Sequence, residues 1–455
     1  MSSPFISSIS IAPTIIKPYI MLLQNTNKRR KYGSLRILAI VLLISACSSS
    51  KDETGESAEV NGKKIPIINL GLVEEEPTTI GWSAIFEDVE IIPLETGKNC
   101  MIKRWMTGLS PNSLYLATKT SSDVPVRLME FDFEGKYLKD FGAGGKGPGE
   151  HISYSLNDVR YYEEYNMVLA NFHGFTPENQ LFTPKAEFLE EVKNSFKMGS
   201  GLGMIDENLF FTLGTLFGKP NYRRDSVLIE WHDKNGNPVK TIERTKYPPE
   251  NNTSFSPTGS RSLYRYDGEW RLYSSGNDTI YEVVGKEINP IGIFTLGDKA
   301  VQLNEFIDPR EVLGHFNIRI LAENENYWIL KKYVYTKCDV EHHGAGQWAG
   351  RVDYDYSLIF IRKDNLKSWH VRFEDDLLGI IDWDKMEYYL KWDDSGRFYI
   401  ILGALDLIEK IDEVLKAGEI PESGKAKVKQ LRASINENSN PVLFMFKERK
   451  NYKLD

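Results

Sequence analysis

Apolar and polar residues alternate along this chain in short runs, and six times a turn built on Asn or Gly leads into an apolar or aromatic strand. Asn112 precedes Leu114-Tyr115-Leu116, Asn166 precedes Met167-Val168-Leu169, and Asn208 precedes Leu209-Phe210-Phe211. Gly268, Asn326 and Gly396 open the same pattern before Trp270 to Tyr273, Tyr327 to Ile329 and Phe398 to Ile400. The first residues of these strands lie 53, 42, 61, 57 and 71 positions apart. In the first five units a second and a third strand follow: Val126 to Phe131 with Tyr137 to Phe141, Gln180 to Phe182 with Phe188 to Val192, and Val227 to Trp231 with Val239 to Ile242. Thr279 to Val283 with Ile291 to Leu296, and Tyr356 to Arg362 with Ser368 to Phe373, continue the series. Glu134-Gly135, Asn235-Gly236 and Ser395-Gly396 stand at bends, where a tight turn demands residues that accept positive φ.

A further short strand precedes most of the turns, as at Ser262 to Tyr266 and Tyr388 to Trp392. Four strands per unit and six units predict an all-β chain, a six-bladed β-propeller. The units exceed the roughly 40 to 50 residues of an ordinary blade, and insertions at 338–355 and 404–438 absorb much of the surplus. The second has helical spacing at Leu405, Ile408, Ile411, Val414 and Leu415, breaks at Gly418 to Gly424 and resumes around Val428 and Leu431. Its apolar face is expected to pack on the outside of the last blade. The sixth unit lacks an outer strand. Val89 to Leu94 is the expected donor and Ile65 to Leu70 the second choice, closing the ring by pairing the two ends of the chain.

Charge and length narrow the setting. The 455 residues carry a formal charge of −8, with no basic cluster beyond the N-terminus, which argues against a nucleic-acid partner. Residues 28–46, KRRKYGSLRILAIVLLISA, set a basic stretch before an apolar run too short to span a bilayer, the pattern of a signal peptide. Ile44-Ser45-Ala46-Cys47 resembles a bacterial lipobox, which implies lipidation of Cys47 as the first mature residue; Met21 would serve as an alternative start. Residues 1–46 hold six basic residues and no acid, so the chain from Cys47 onward carries −14 and should meet a membrane through acyl chains rather than charge. Residues 47–64 read as a flexible tether and 65–455 as the single propeller domain. Lys51-Asp52-Glu53 resembles the acidic export signal of surface lipoproteins in Bacteroidota, placing the protein on the outer membrane, cell surface before periplasmic face.

The stretch Glu130 to Tyr137, followed by Phe141-Gly142 and Lys146-Gly147-Pro148-Gly149-Glu150, resembles the six-bladed β-propeller lipoproteins of Bacteroidota, relatives of NHL-like and TolB-like propellers. Ile91 to Glu95 is similar to that family's opening strand, Asn277 to Tyr281 to its mid-chain strand and Asn440 to Leu443 to its last. The resemblance spans about residues 85 to 447 and implies architecture more than chemistry.

Individual motifs carry little catalytic signal. Gly142 to Gly147 satisfies G-x-G-x-x-G, but Pro148-Gly149 follows where a helix should begin, so it reads as an inter-blade loop. Asp233 to Asn237 lacks the later ligands of a calcium loop and reads as a hairpin turn. Cys100 and Cys338 are expected to be separate thiols. The 338–355 insertion gathers His342, His343, Trp348, Tyr354 and Asp355, and is the expected ligand-facing surface, read as a polar solvated loop before a metal site. No motif calls for a cofactor. The leading expectation is a binding or scaffold lipoprotein that meets a glycan, peptide or envelope protein. The alternative is a metal-dependent lyase or lactonase with calcium or zinc in the central channel, to which Asn157, Asp158, Glu323 and Asp382 would contribute.

Overall fold

The computed structural model describes residues 56–60, 62–72, 76–103, 105–118, 125–152, 155–173, 178–193, 202–214, 227–244, 261–274, 278–301, 309–342, 348–382, 391–392, 397–449, 452 and 454. The leader, Cys47 and Ser395-Gly396 lie outside these residues. Six sheets of at least four strands form the blades of a propeller. Blade 1 holds Trp105–Leu109, Ser113–Thr118, Arg127–Asp132 and Tyr137–Phe141; blade 2 holds Ser155–Tyr162, Met167–His173, Glu178–Phe182 and Phe188–Val192. Blade 3 is Leu202–Asp206, Leu209–Leu213, Val227–His232 and Pro238–Glu243, and blade 4 is Arg261–Tyr266, Glu269–Ser274, Thr279–Val284 and Glu287–Thr295. Blade 5 contains Phe316–Glu323, Tyr327–His342, Trp348–Arg362 and Ser368–Glu374. Blade 6 runs Lys391–Trp392, Phe398–Leu402, Val442–Glu448 and, last, Phe86–Pro93 from the other end of the chain.

The expected closure is therefore observed, with Phe444 opposite Ile91 and Val442 opposite Pro93. The alternative donor has another place. Lys63–Asn69 pairs in parallel with the outer strand of blade 4, and Thr78–Gly81 does the same on blade 5. The N-terminal segment is thus a strap that visits the rims of blades 4, 5 and 6 in turn before entering blade 1. The expected tether also ends earlier than its polar composition suggested. Ser57–Val60 pairs with Lys63–Pro66, because Ala58 and Val60 turn toward the sheet while Ser57 and Glu59 face solvent.

Apolar faces of adjacent blades interlock, so the core is a set of inter-blade layers rather than one centre. Between blades 5 and 6 the strap inserts Trp82, fully buried against Phe86, Phe373, Phe398 and Phe446 with ring centroids 4.5 to 5.7 Å apart. Each such ring pair adds about 0.5–1.5 kcal/mol beyond its buried area. A Cβ at neighbouring Gly81 would collide with the Asp376 carboxylate that accepts the Ser83 N–H at 2.9 Å, so a larger residue there would displace that carboxylate from its bond.

The seam between blades 6 and 1 is clamped by Asn440, almost wholly buried. Its Oδ1 accepts the Ile102 N–H at 2.9 Å, while Nδ2 donates to the carbonyls of Glu95 and Cys100, both at 2.6 Å. Cys100 is buried and unbridged, as is the half-exposed Cys338, in agreement with two separate thiols. Replacing Asn440 with Ala orphans the buried Ile102 N–H and Cys100 carbonyl and releases the partly buried Glu95 carbonyl. The expected loss is on the order of 3 kcal/mol of unfolding free energy in a urea titration; a change below about 0.5 kcal/mol would show that the clamp is dispensable.

His151 stacks on Phe172 with ring centroids 3.9 Å apart, and burial pushes its imidazole from 6.5 down to about 4. Burial lowers His232 in the same direction. The unfolded chain thus takes up protons that the folded state refuses: stability is fully present above pH 6.5 and is lost as pH falls toward 4. For His151 alone the loss approaches about 3 kcal/mol at the lower end. Urea midpoints measured from pH 7.5 downward should fall with acid, and His151→Phe should flatten that slope without abolishing it.

Candidate functional site

Strands that run alternately up and down divide the connections of a propeller between two ends. Links between the first and second strands, and between the third and fourth, lie at one end; all other links lie at the opposite end. At the first end the turns are tight. Asp132 accepts the N–H groups of Glu134 and Lys136 around Gly135, and Asp233 does the same for Asn235 and Asn237, which makes the latter the expected hairpin turn. Asn166 and Asp267 take left-handed conformations there, at φ 51° and 52°.

The opposite end carries everything large. The glycine-rich segment links blades 1 and 2, with Gly142 and Gly149 at φ 67° and 73° and the Glu150 carboxylate accepting the Gly147 N–H at 2.7 Å. It is an inter-blade loop, as expected. The second insertion forms helices α1 (Ala404–Ala417) and α2 (Lys425–Ser434), joined through Arg432 to Asp412 at 2.7 and 3.0 Å. Gly418 ends α1 at φ 75°, its N–H on the Val414 carbonyl. Leu407, Ile411, Val414, Val428 and Leu431 join the core layer of blades 5 and 6, and Lys427 of α2 donates to Asp88 and the Val89 carbonyl of the closing strand. Beneath them, half-buried Asp375 organises the connector of blades 5 and 6 by accepting four N–H groups, from Leu377, Leu378, Ile380 and Ile381. Burial nonetheless raises its carboxyl above the ordinary range.

On blade 5 the structure corrects the reading of residues 338–355 as a loop. The second and third strands run on past the blade as a two-stranded ribbon, with a bulge between Tyr335 and Lys337 and pairing that continues from Lys337 opposite Asp353 to His342 opposite Trp348. Those six pairs extend about 20 Å beyond the bulge. The physical reason lies in the alternation of aromatic and β-branched residues, Tyr333-Val334-Tyr335 against Tyr354-Asp355-Tyr356, which favours strand over loop.

The structure therefore divides the expected ligand residues. His342 and Trp348 are backbone partners at the ribbon tip, while His343 lies outside the described residues. Tyr354 belongs to a row on one ribbon face, where Tyr335 is opposite Tyr354 and Tyr333 opposite Tyr356. Tyr333 and Tyr354 meet edge to face at 5.3 Å, and the Lys331 ammonium sits 4.1 Å from the centre of the Tyr356 ring. Asp355 is on the other face, exposed. Burial pushes the Tyr335 hydroxyl up to about 12, partly offset by a hydrogen bond with Asn317, so it remains a neutral phenol at physiological pH. Tyr333, Tyr335 and Tyr356 were missed as site residues; their period-two spacing with Tyr354 was the signal that could have found them.

The channel candidates do not assemble into a metal centre. Asp158 is paired with Arg160 of its own strand at 2.6 Å. Glu323 is buried between blades 4 and 5, accepting from Tyr264 at 3.0 Å and pairing with Lys363 at 2.7 Å and Arg271 at 3.3 Å. Asp382 lies on the connector after blade 5, and Asn157 occupies the bulge of the inner strand of blade 2. Among the described residues no three His, Cys, Asp or Glu side chains gather closely enough to hold an ion.

The description "Domain of unknown function (DUF4934)" belongs to the family model that matches residues 65–447. Among solved structures, a Bacteroides fragilis protein classed as exported is similar at 15% identity and TM-score 0.60, over 84% of this chain and 100% of that one. A protein of unknown function from Bacteroides thetaiotaomicron is 10% identical at TM-score 0.37, over 79% of this chain and 76% of that one. The RRP9 WD40 repeats are 10% identical at TM-score 0.38, over 82% and 100%. No curated protein matches. With its match running from the strap into Val442–Glu448 of blade 6, the chain belongs to the DUF4934 family.

Proposed function

We propose that this protein is a lipid-anchored binding or scaffold module of the bacterial cell surface, a six-bladed relative of NHL-like and TolB-like propellers, that engages a glycan, peptide or envelope protein. One observation carries the reading: the two ends of the propeller are unequal, and the ribbon with its tyrosine row rises from the same end, on the adjacent blade, as the helical pair. Rigid aromatic rings with phenolic hydroxyls offer large contact area and a polar handle at small entropic cost, which suits sugar rings and peptide side chains alike. The basic stretch, apolar run and Cys47 in that order support export and lipidation. The similarity to a Bacteroides fragilis protein classed as exported agrees with export.

Two experiments test the reading. Replacing Tyr333 and Tyr354, half-buried rings that meet edge to face on the ribbon, with Ala removes half of the tyrosine row while leaving the backbone pairing in place. The double variant should keep a cooperative unfolding transition and lose binding on glycan and peptide arrays; equal binding by both proteins, or none by the parent, would refute the assignment. Separately, mass spectrometry of the mature N-terminus should find a diacylglyceryl group on Cys47. The Cys47→Ala protein should leave the membrane fraction, and protease added to intact cells should degrade the parent if it faces outward.

A further inference from the structure

At the turn end, opposite the ribbon, the blade 6 sheet borders a cleft of about 580 Å³, a volume that suits a small ligand. The ladder fixes which side chains share its wall. Met445 of the third strand lies opposite Tyr399 on one side and Glu90 on the other, and residues directly opposite one another stand on one face of a sheet. Tyr399 and Met445 belong to the apolar layer between blades 6 and 1, so Glu90 is on the face turned toward blade 1. Arg397, two residues before Tyr399, is on that face too and crosses to blade 1. Its Nη1 and Nη2 donate to the Pro111 and Ser110 carbonyls at 3.2 and 2.5 Å, and the guanidinium lies 5.0 Å from the Phe133 ring centre.

Most polar groups of the lining are already committed. Arg397 is turned to the two carbonyls and Lys447 is paired with Glu87. Asp88 accepts from Lys427 at 2.5 Å and from the Val89 N–H at 2.8 Å, and Glu448 accepts from Asn324 at 2.9 Å. Glu90 differs: it is exposed, with no hydrogen-bond or ion-pair partner among the described residues. Beside it stands Met445, half-buried. The cleft thus offers a ligand one carboxylate next to one flexible apolar surface.

We propose that this cleft binds an alkylammonium or guanidinium group carried on an apolar stem, as in a lysine or arginine side chain. The cation donates to Glu90 in a charge-assisted hydrogen bond, and the methylene stem lies along the Met445 thioether, whose flexibility adapts to an irregular partner. This site is at the other end of the propeller from the ribbon and does not depend on the function proposed for it.

The test follows the Met445 methyl resonance, identified by its absence from Met445→Leu, while the mature chain is titrated with three compounds. These are Nα-acetyl-lysine methylamide, the norleucine analogue that keeps the stem but lacks the charge, and butylammonium. The lysine compound should shift the resonance saturably, and the norleucine compound should bind about tenfold more weakly or worse. Glu90→Gln should weaken lysine binding by a similar factor, whereas Glu191→Gln on the outer strand of blade 2 should leave it unchanged. Tighter binding of the lysine compound than of butylammonium would identify a peptide as the source of the cation, and equal binding a free amine. No saturable shift, equal affinity for the lysine and norleucine compounds, or undiminished binding by Glu90→Gln would overturn the proposal. Because Glu90 is exposed, Glu90→Gln should keep the parent's far-ultraviolet spectrum and unfolding midpoint, so a loss of binding reports on the site.

Discussion

A propeller is a ring, and a ring built from one chain depends on how its two ends are joined. Here the junction is the antiparallel pairing of Phe86–Pro93 with Val442–Glu448, reinforced by Asn440 reaching three backbone groups on the N-terminal side of the seam. The four strands of every other blade follow one another in sequence, whereas those of this one come from segments some 350 residues apart. The contact has to offset a long loop-closure entropy, which explains why it combines a seven-residue ladder, a saturated buried amide and the Trp82 aromatic cluster in one region. Closure also covers the edge that Val442–Glu448 would otherwise leave unpaired on blade 6.

The same up-and-down geometry that permits closure separates scaffold from site. At the turn end, Asx turns and left-handed residues leave no spare length. Insertions are tolerated at the other end because a link between the second and third strands can lengthen without disturbing the ladder beneath it. Blades 5 and 6 use that freedom differently. On blade 6 the added length folds back onto the core and becomes part of the seam, tied to the closing strand by Lys427. On blade 5 the strands themselves lengthen, so the tyrosine row inherits the rigidity of the sheet instead of resting on a loop.

Much of this fold was legible in the sequence because blades repeat. Turn residues such as Asn166 and Gly268 before short aromatic runs locate the second strand of each blade, and the closing strand follows from counting which unit lacks an outer member. The ribbon was harder. Histidines, acids and a glycine-rich tip between Cys338 and Asp355 resemble a loop in composition, and only the period-two aromatics at its base betray continued pairing. Partnerships across blades leave still less trace: that Glu323 is spent on Lys363 and Arg271, or that Trp82 fills the layer between blades 5 and 6, depends on residues 40 to 360 positions away.

The route of the N-terminal strap has its own logic in the outer strands it covers. Blades 1, 2 and 3 end in Tyr137–Phe141, Phe188–Val192 and Pro238–Glu243, and among the described residues no strand pairs with their rims. Those strands carry Lys139, Glu190 with Glu191, and Lys240 with a leading Pro238, the charges and proline that discourage edge-to-edge association. Blades 4 and 5 end in Glu287–Thr295, with the run Ile291-Gly292-Ile293-Phe294, and in Ser368–Glu374, with Trp369, Val371 and Phe373. These edges are more apolar and better suited to pairing with a foreign strand. They are the two rims that the strap occupies with Lys63–Asn69 and Thr78–Gly81. The segment ahead of the propeller thus protects the vulnerable half of the ring, and truncation up to the closing strand would expose edges that the sequence has not otherwise guarded.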